Sequence, residues 1–144
     1  MKILTYEKHL PDSAKFVRKT VFEDEQGFID EFDETDEIAT HFVMFNENDE
    51  PIATCRVFPD TKRATYILGR LAVVKDYRNK NLGSAIMHEA EQYVIKIGGK
   101  SITLHAQYQA AGFYEKQSFE TFGDMDEEQG CPHVWMRKIL DKKE

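Results

Sequence analysis

A nearly continuous apolar segment, residues 66–74, is followed by a helical pattern that begins at Leu82. Only Gly69 and Arg70 interrupt the apolar run, and such a run is typical of a strand covered on both faces. From Leu82 the apolar residues recur at helical spacing until Gly98 and Gly99 stop the helix. This succession predicts a βα unit at the centre of the fold.

The other apolar and turn patterns surround this unit with strands and two more helices. Pro11, Asp12 and Ser13 open a first helix that runs to about Phe22, and a short helix follows at residues 109–117. Further strands are predicted at residues 2–6, 40–45, 52–58, 101–105, 119–122 and 133–138. The order mixes hairpins with a crossover, so residues 1–144 are predicted to form one α/β (α+β) domain with a mixed sheet and helices on both sides.

Composition excludes several classes of function. The formal net charge of -7 argues against a nucleic-acid-binding surface, which needs clustered Lys and Arg. No apolar run is long enough to span a membrane, so we expect a cytoplasmic protein without a membrane partner. Cys55 and Cys131 are expected to be reduced thiols. A homodimer is left open by the sequence.

The residues that join the central strand to the helix, 78–84, are the most informative of the chain. A helix start presents unpaired N–H groups and a partial positive charge, which stabilise a bound phosphate. Gly83 has no side chain to block its approach, and Arg78 and Lys80 add full charges. The segment lacks both the Walker-A and the dinucleotide glycine patterns. On these residues alone, a basic, capped helix start without a ligand is an equal alternative.

The same residues resemble the hallmark of the GCN5-related N-acetyltransferase (GNAT) superfamily, Arg/Gln-x-x-Gly-x-Gly/Ala after a central strand. Residues 78–83 fit it with Asn81 in place of the first glycine, and Asn tolerates positive φ. Residues 110–119 resemble the signature of the fourth helix, with Ser118 in place of its glycine. Residues 21–27 and 130–133 resemble the bacterial ElaA/YjcF-type subgroup.

The resemblance implies acetyl-CoA as cosubstrate and a mostly antiparallel sheet whose central strands splay apart to admit it. The break in the apolar pattern at Gly69 and Arg70 is compatible with a bulge there. In the family, strand backbone pairs with the pantetheine arm and the helix start holds the pyrophosphate. The residues implied for this cofactor site are Leu71, Ala72, Val73, Arg78, Asn79, Lys80, Asn81, Leu82, Gly83, Ser84, Gln107 and Tyr114.

Acetyl transfer to an amine needs a proton donor for the departing thiolate and a base for the amine. Tyr114 matches the family tyrosine that faces the sulfur. The central strand has no carboxylate, so His41, His105 and His133 are the candidate bases, with His41 and His133 preferred. No metal is expected, because Cys131 and these histidines have no zinc-finger spacing.

Residues 23–37 are rich in Asp and Glu and contain no Lys or Arg. The resemblance implies that this stretch lies across the acceptor mouth, where carboxylates would attract an ammonium group. The residues expected to bind the acceptor are Phe22, Glu25, Gln26, Asp36, His41, Arg56, Arg70 and His133.

The expected function is therefore N-acetylation of the primary amine of a small molecule, for example an amino sugar such as glucosamine 6-phosphate. The alternative is a catalytically weak module that binds coenzyme A for regulation or interaction, which Asn81, Ser118 and the missing strand carboxylate suggest. Acyl-homoserine-lactone synthesis shares the fold class and is a third hypothesis.

Overall fold

A computed structural model of the chain describes residues 1–29 and 32–140. Its centre is a seven-stranded sheet with the order β1-β2-β3-β4-β5-β7-β6. The strands are β1 (Lys2–Glu7), β2 (Thr40–Phe45), β3 (Pro51–Asp60), β4 (Thr65–Val73), β5 (Ser101–Gln107), β6 (Glu120–Glu128) and β7 (Cys131–Ile139). The helices are α1 (Asp12–Arg18), a π-helical turn (Lys19–Glu25), α2 (Glu34–Ile38), α3 (Leu82–Lys96) and α4 (Ala111–Lys116), with 3₁₀ turns at Lys75–Tyr77 and Tyr108–Ala110.

The sheet is mixed and mostly antiparallel, as predicted. Neighbouring strands are antiparallel except β4 and β5, which are parallel. The crossover between β4 and β5 contains α3, so the predicted βα unit is confirmed.

Helices cover both faces of the sheet, which follows from the alternation of side chains along β2. Phe42 and Met44 belong to the same core cluster as Ile86 of α3. Val43, between them, packs with Ala14 of α1. Because successive strand residues point to opposite faces, α1 and α3 lie on opposite sides of the sheet. No helix within the two described ranges is both long and apolar enough to cross a membrane.

Three boundaries differ from the sequence predictions. The first helix changes to the π-helical turn after Arg18. The acidic stretch, read from the sequence as a loop that can include a helical turn, contains α2, whose N-terminus is capped by Asp33 and Asp36 in a capping box. Asp30 and Glu31 of that stretch lie outside the described residues. The strand predicted at residues 119–122 extends to Glu128, because its backbone pairs with β7 although its side chains are polar and exposed.

The centre of the sheet splays apart between β4 and β5. Their parallel ladder consists of two pairs, Tyr66 with Ile102 and Ile67 with Thr103. Beyond it, the register of β4 against β3 shifts, and Arg70 takes a φ of 54°. The bulge expected at Gly69 and Arg70 is therefore present, and it turns the end of β4 away from β5.

Candidate functional site

The splay opens a cavity of about 430 Å³, which lies in the size range of small-molecule sites. The ends of β4 and β5 form its two long walls. Phe22, Gln26 and residues 28–29 line it from the segment after α1, and Tyr114 lines it from α4. His133 and Trp135 of β7 also face it. The cavity therefore joins parts of the chain that are far apart in sequence.

The end of β4 offers backbone groups to an extended ligand. Ala72 and Val73 pair with Thr54 and Ala53 of β3 on one edge. Among the described residues the ladder to β5 does not extend beyond Ile67, so the other edge is not paired in the sheet there. An edge of this kind can accept an added strand, which is the role implied for Leu71, Ala72 and Val73 toward the pantetheine arm.

The helix start beyond β4 has the geometry that its sequence predicted. Asn81 precedes α3 with a φ of 62°, and Asn79 has a φ of 63°. The backbone N–H groups of Leu82, Gly83 and Ser84 thus fall in the first turn, where helical partners are lacking. A Cβ added to Gly83 would lie 3.2 Å from Cζ of Phe113, so glycine permits the close packing of α4 on this turn.

Two side chains next to this helix start are already held by protein groups. Gln117 Nε2 donates to Ser84 Oγ at 2.8 Å. Arg78 Nε donates to the carbonyl of Val73 at 2.9 Å, and its two terminal nitrogens donate to the carboxylate of Glu25 at 2.5 and 2.6 Å. The hydrogen bond from Arg78 lowers the pKa of Glu25, and the same bond raises the pKa of Arg78. Glu25 therefore lies beside Arg78, in the segment that joins β4 to α3, and it is absent from the cavity lining.

Replacing Glu25 with glutamine is expected to tighten acetyl-CoA binding up to about fivefold, because a half-exposed ion pair is worth at most about 1 kcal/mol and Arg78 would become available to the pyrophosphate. Isothermal titration of acetyl-CoA at low and moderate salt measures this change. Asp24→Asn removes a carboxylate from the same turn, where Asp24 pairs with Lys19, and serves as the control. A raised acceptor KM with unchanged acetyl-CoA affinity would contradict this placement of Glu25.

Tyr114 contributes a phenol ring to the wall of the cavity. It lies on α4 with its ring edge-on to Phe113 and Phe119, at centroid distances of 5.1 and 6.1 Å. Burial raises the pKa of its hydroxyl far above the ordinary value for tyrosine. The phenol therefore keeps its proton throughout the physiological pH range.

His133 has a fixed tautomer with a lone pair on Nε2. Its Nδ1 lies 2.8 Å from the carbonyl oxygen of Cys131. A carbonyl oxygen can only accept, so Nδ1 carries the proton and the neutral ring has its basic site at Nε2. The side chain lines the cavity and the residue is 7% exposed.

His105 lies next to His133, with ring centroids 4.7 Å apart, and its other face stacks on Trp135 at 4.5 Å. Both of its nitrogens face carboxylates: Nε2 lies 2.7 Å from Asp126 Oδ1, and Nδ1 lies 3.3 Å from Glu128 Oε1. His105 is therefore held between two acids at the end of the cavity formed by β5, β6 and β7.

The expected acceptor roles of Asp36 and His41 do not agree with their positions. Asp36 is 3% exposed and its carboxylate binds Arg18 at 2.8 Å and Arg56 at 2.6 Å. His41 is 1% exposed, its Nε2 donates to the backbone carbonyl of Asp36, and burial lowers its pKa. Neither residue lines the cavity. The carboxylate of Asp36 instead neutralises two arginines of the core. His41 is therefore no base for an amine in this cavity.

Apart from Glu25, the other expected acceptor residues are brought together. Phe22, Gln26, Arg56 and Arg70 line the cavity, as does Gln107, whose side chain donates to Gln26 at 3.2 Å. Arg56 belongs both to the cavity wall and to the pair with Asp36.

Several residues of the site were not predicted from the sequence. Glu128, Gln129 and Trp135 line the cavity, and the Gln129 amide exchanges two hydrogen bonds of 3.1 Å with the backbone of Ile29. This contact joins the turn between β6 and β7 to the segment after α1. The only signal in the sequence was the density of acids in β6, which is also the signal of a solvated strand.

The comparisons with known proteins agree with this architecture. A family model described as an acetyltransferase (GNAT) domain matches residues 12–140. A provisionally assigned acetyltransferase of Bacillus subtilis (strain 168) is 38% identical over 143 residues, which are 96% of this chain and 95% of the relative.

Two solved structures share the fold. A provisionally assigned N-acetyltransferase from Lactobacillus plantarum superposes with a TM-score of 0.87 at 27% identity, over 96% of this chain and 97% of that one. Escherichia coli ElaA superposes with a TM-score of 0.82 at 22% identity, over 95% and 98% of the two chains. The predicted superfamily is thereby confirmed: the chain belongs to the GNAT acetyltransferase family and is an acetyl-CoA-dependent N-acetyltransferase.

Proposed function

We propose that the protein acetylates the primary amine of a small polar molecule by direct transfer within a ternary complex. The observation that carries this proposal is the cavity itself. On the side proposed for the cofactor, the cavity is lined by the edge of β4 that lacks a ladder to β5 and by Tyr114. On the other side it is lined by His133, whose Nε2 carries a lone pair. Donor and acceptor can thus occupy the same cavity, which makes a covalent enzyme intermediate unnecessary.

The residues of the chain fit the proton transfers that the reaction needs. His133 Nε2 takes a proton from the ammonium form of the acceptor, and the amine nitrogen then attacks the thioester carbonyl carbon. The backbone amide of Ala72 or Val73 stabilises the oxyanion. The carbon–sulfur bond breaks, and the Tyr114 hydroxyl donates its proton to the departing thiolate. The surplus proton on the new amide nitrogen returns to the phenolate through solvent.

The two ends of the cavity differ in charge, and this difference limits the class of acceptor. Arg56 and Arg70 line one side, while Glu128 belongs to the other. An acceptor that carries an amine and an anionic group could interact with both sides, and an amino sugar phosphate such as glucosamine 6-phosphate has these groups. Arg63 contributes to neither side, because it pairs with Asp60 and lies over Trp135.

The alternative of a catalytically weak, coenzyme-A-binding module loses two of its reasons. Asn81 and Ser118, which replace family glycines, have φ values of 62° and 75°, so each adopts the backbone conformation that the glycine would supply. The missing carboxylate on β4 is the third reason, and in this proposal His133 serves as the base in its place.

The test is release of free coenzyme A from acetyl-CoA with a panel of amines, in which amino sugars with and without a phosphate are compared. We expect turnover with at least one amine and a preference for the anionic member of each pair. His133→Gln is expected to lower kcat/KM about 100-fold near neutral pH, with a smaller loss at high pH where the amine is already neutral. His88→Gln, on the exposed side of α3, is the control. Coenzyme A binding without release for any amine would favour the binding module.

A further inference from the structure

Three side chains at the β6 and β7 end of the cavity bring metal-ligating atoms together. His105, Glu128 and His133 each have one such atom within 4.8 Å of the other two. They come from three strands, and zinc-binding patterns are recognised by close spacing along the chain, which is why Cys131 and these histidines were not expected to bind a metal. The thiol of Cys131 is directed to Gln109 Oε1 and to the carbonyl oxygen of its own neighbour Pro132.

The outer nitrogens of both histidines are already hydrogen-bonded to protein acceptors. His133 Nδ1 donates to the Cys131 carbonyl at 2.8 Å. His105 Nε2 lies 2.7 Å from Asp126 Oδ1. Histidines that bind metals nearly always donate their second N–H to a carbonyl or a carboxylate, which fixes the tautomer and points a lone pair at the ion. Both imidazoles thus carry the supporting partner that a metal ligand needs.

The contact between His105 and Glu128 has a geometry that a metal ion can bridge. If His105 donates its one proton to Asp126, its Nδ1 lone pair faces the carboxylate oxygen of Glu128 at 3.3 Å. Two lone pairs repel at that distance unless a proton or a cation lies between them. Two ligands of one tetrahedral ion, each about 2 Å from it, are themselves about 3.3 Å apart. The separation is therefore suitable for a shared metal ion.

We propose that His105 Nδ1, His133 Nε2 and a carboxylate oxygen of Glu128 form a site for a divalent transition metal, with zinc as the best-suited ion. Two imidazoles and one carboxylate are a ligand set that binds zinc with a fourth position open. All three residues line the cavity, so that position faces the acceptor space. The ion would neutralise the carboxylates around His105. It would also use the lone pair that His133 offers as a base, so occupancy is expected to slow acetyl transfer.

The only tryptophan of the chain, Trp135, stacks on His105, and its fluorescence therefore reports on this site without any reaction. The tag-free full chain is stripped with a chelator and titrated with ZnCl₂, by tryptophan fluorescence and by calorimetry. Binding of CoCl₂ is followed by visible absorption, whose strength indicates low coordination number. We expect one ion per chain. Glu128→Gln is expected to weaken zinc binding at least about tenfold, while Glu127→Gln, the same change on the preceding strand residue, leaves it unchanged.

The results separate the proposal from its rivals. Absence of both a fluorescence change and binding heat in the wild type would overturn the site. Equal zinc affinity of Glu128→Gln and wild type would also overturn it, because the ion would then be bound elsewhere. Weakened binding in His133→Gln, measured in the same way, supports the proposed third ligand.

Discussion

Tyr114→Phe is expected to lower kcat about 100-fold while the dissociation constant of acetyl-CoA changes little, since a lost general acid costs at least this factor. The substitution removes one oxygen and keeps the ring that packs edge-on against Phe113 and Phe119. Burial raises the pKa of this hydroxyl, so the wild-type phenol carries a proton at neutral pH, and the proposed donation to the thiolate takes place in the step that breaks the carbon–sulfur bond. The loss should therefore appear in the chemical step.

Rates of coenzyme A release and calorimetric titration of acetyl-CoA measure the two quantities separately. Tyr108→Phe is a suitable control, because Tyr108 is exposed on the adjacent 3₁₀ turn. Equal turnover in wild type and Tyr114→Phe would assign the proton to water. A loss of acetyl-CoA affinity equal to the loss of kcat/KM would show that the hydroxyl serves binding.

Asp36→Asn is expected to lower the free energy of unfolding by about 3–5 kcal/mol, because it removes the charge that Arg18 and Arg56 share in the core. Urea denaturation measures this loss. Asp33→Asn is the matched control: Asp33 is the exposed N-cap of the same helix, where asparagine caps as well as aspartate. A loss below about 1 kcal/mol in Asp36→Asn would mean that the arginines find other partners.

The same carboxylate gives the stability a defined dependence on pH. Burial raises the pKa of Asp36, but the hydrogen bonds and charges of Arg18 and Arg56 outweigh it and hold the pKa at about 2, below the ordinary 3.8. Because the folded-state pKa is the lower one, this contribution is complete above about pH 4 and is lost as the pH falls toward 2. The depressed pKa corresponds to about 2 kcal/mol. Asp36→Asn should therefore show a flatter acid limb of stability against pH than wild type.

The buried Asp36 group also explains why the acidic stretch was a poor guide to the acceptor site. The charge count of residues 23–37 does not distinguish a solvated carboxylate from one that neutralises a core arginine. Its members have different roles: Glu25 holds Arg78, Asp33 caps α2 and Asp36 binds Arg18 and Arg56. The arginine partners of Glu25 and Asp36 are 18 to 53 positions away along the chain, so only folding could assign them.

Local physics explains what the sequence determined. The backbone of residues 78–84 follows short-range rules, namely positive φ at Asn81 and free amides at a helix start. The residue types in the sequence were enough to predict both. The βα unit and the break at Gly69 and Arg70 were readable for the same reason, since hydrophobic period and its interruption are properties of neighbouring residues.

The far end of the cavity was decided by tertiary structure alone. His105, Glu128 and His133 meet because β5, β7 and β6 are adjacent in the sheet, and strand order is set by long-range pairing that no local pattern encodes. The tautomer of His133 depends on a backbone carbonyl, and the charge around His105 depends on two acids of a strand that resembled a solvated surface. The sequence thus predicted a site for acetyl-CoA from local backbone conformation, whereas the proposed acceptor chemistry depends on distances between strands, which exist only in the folded chain.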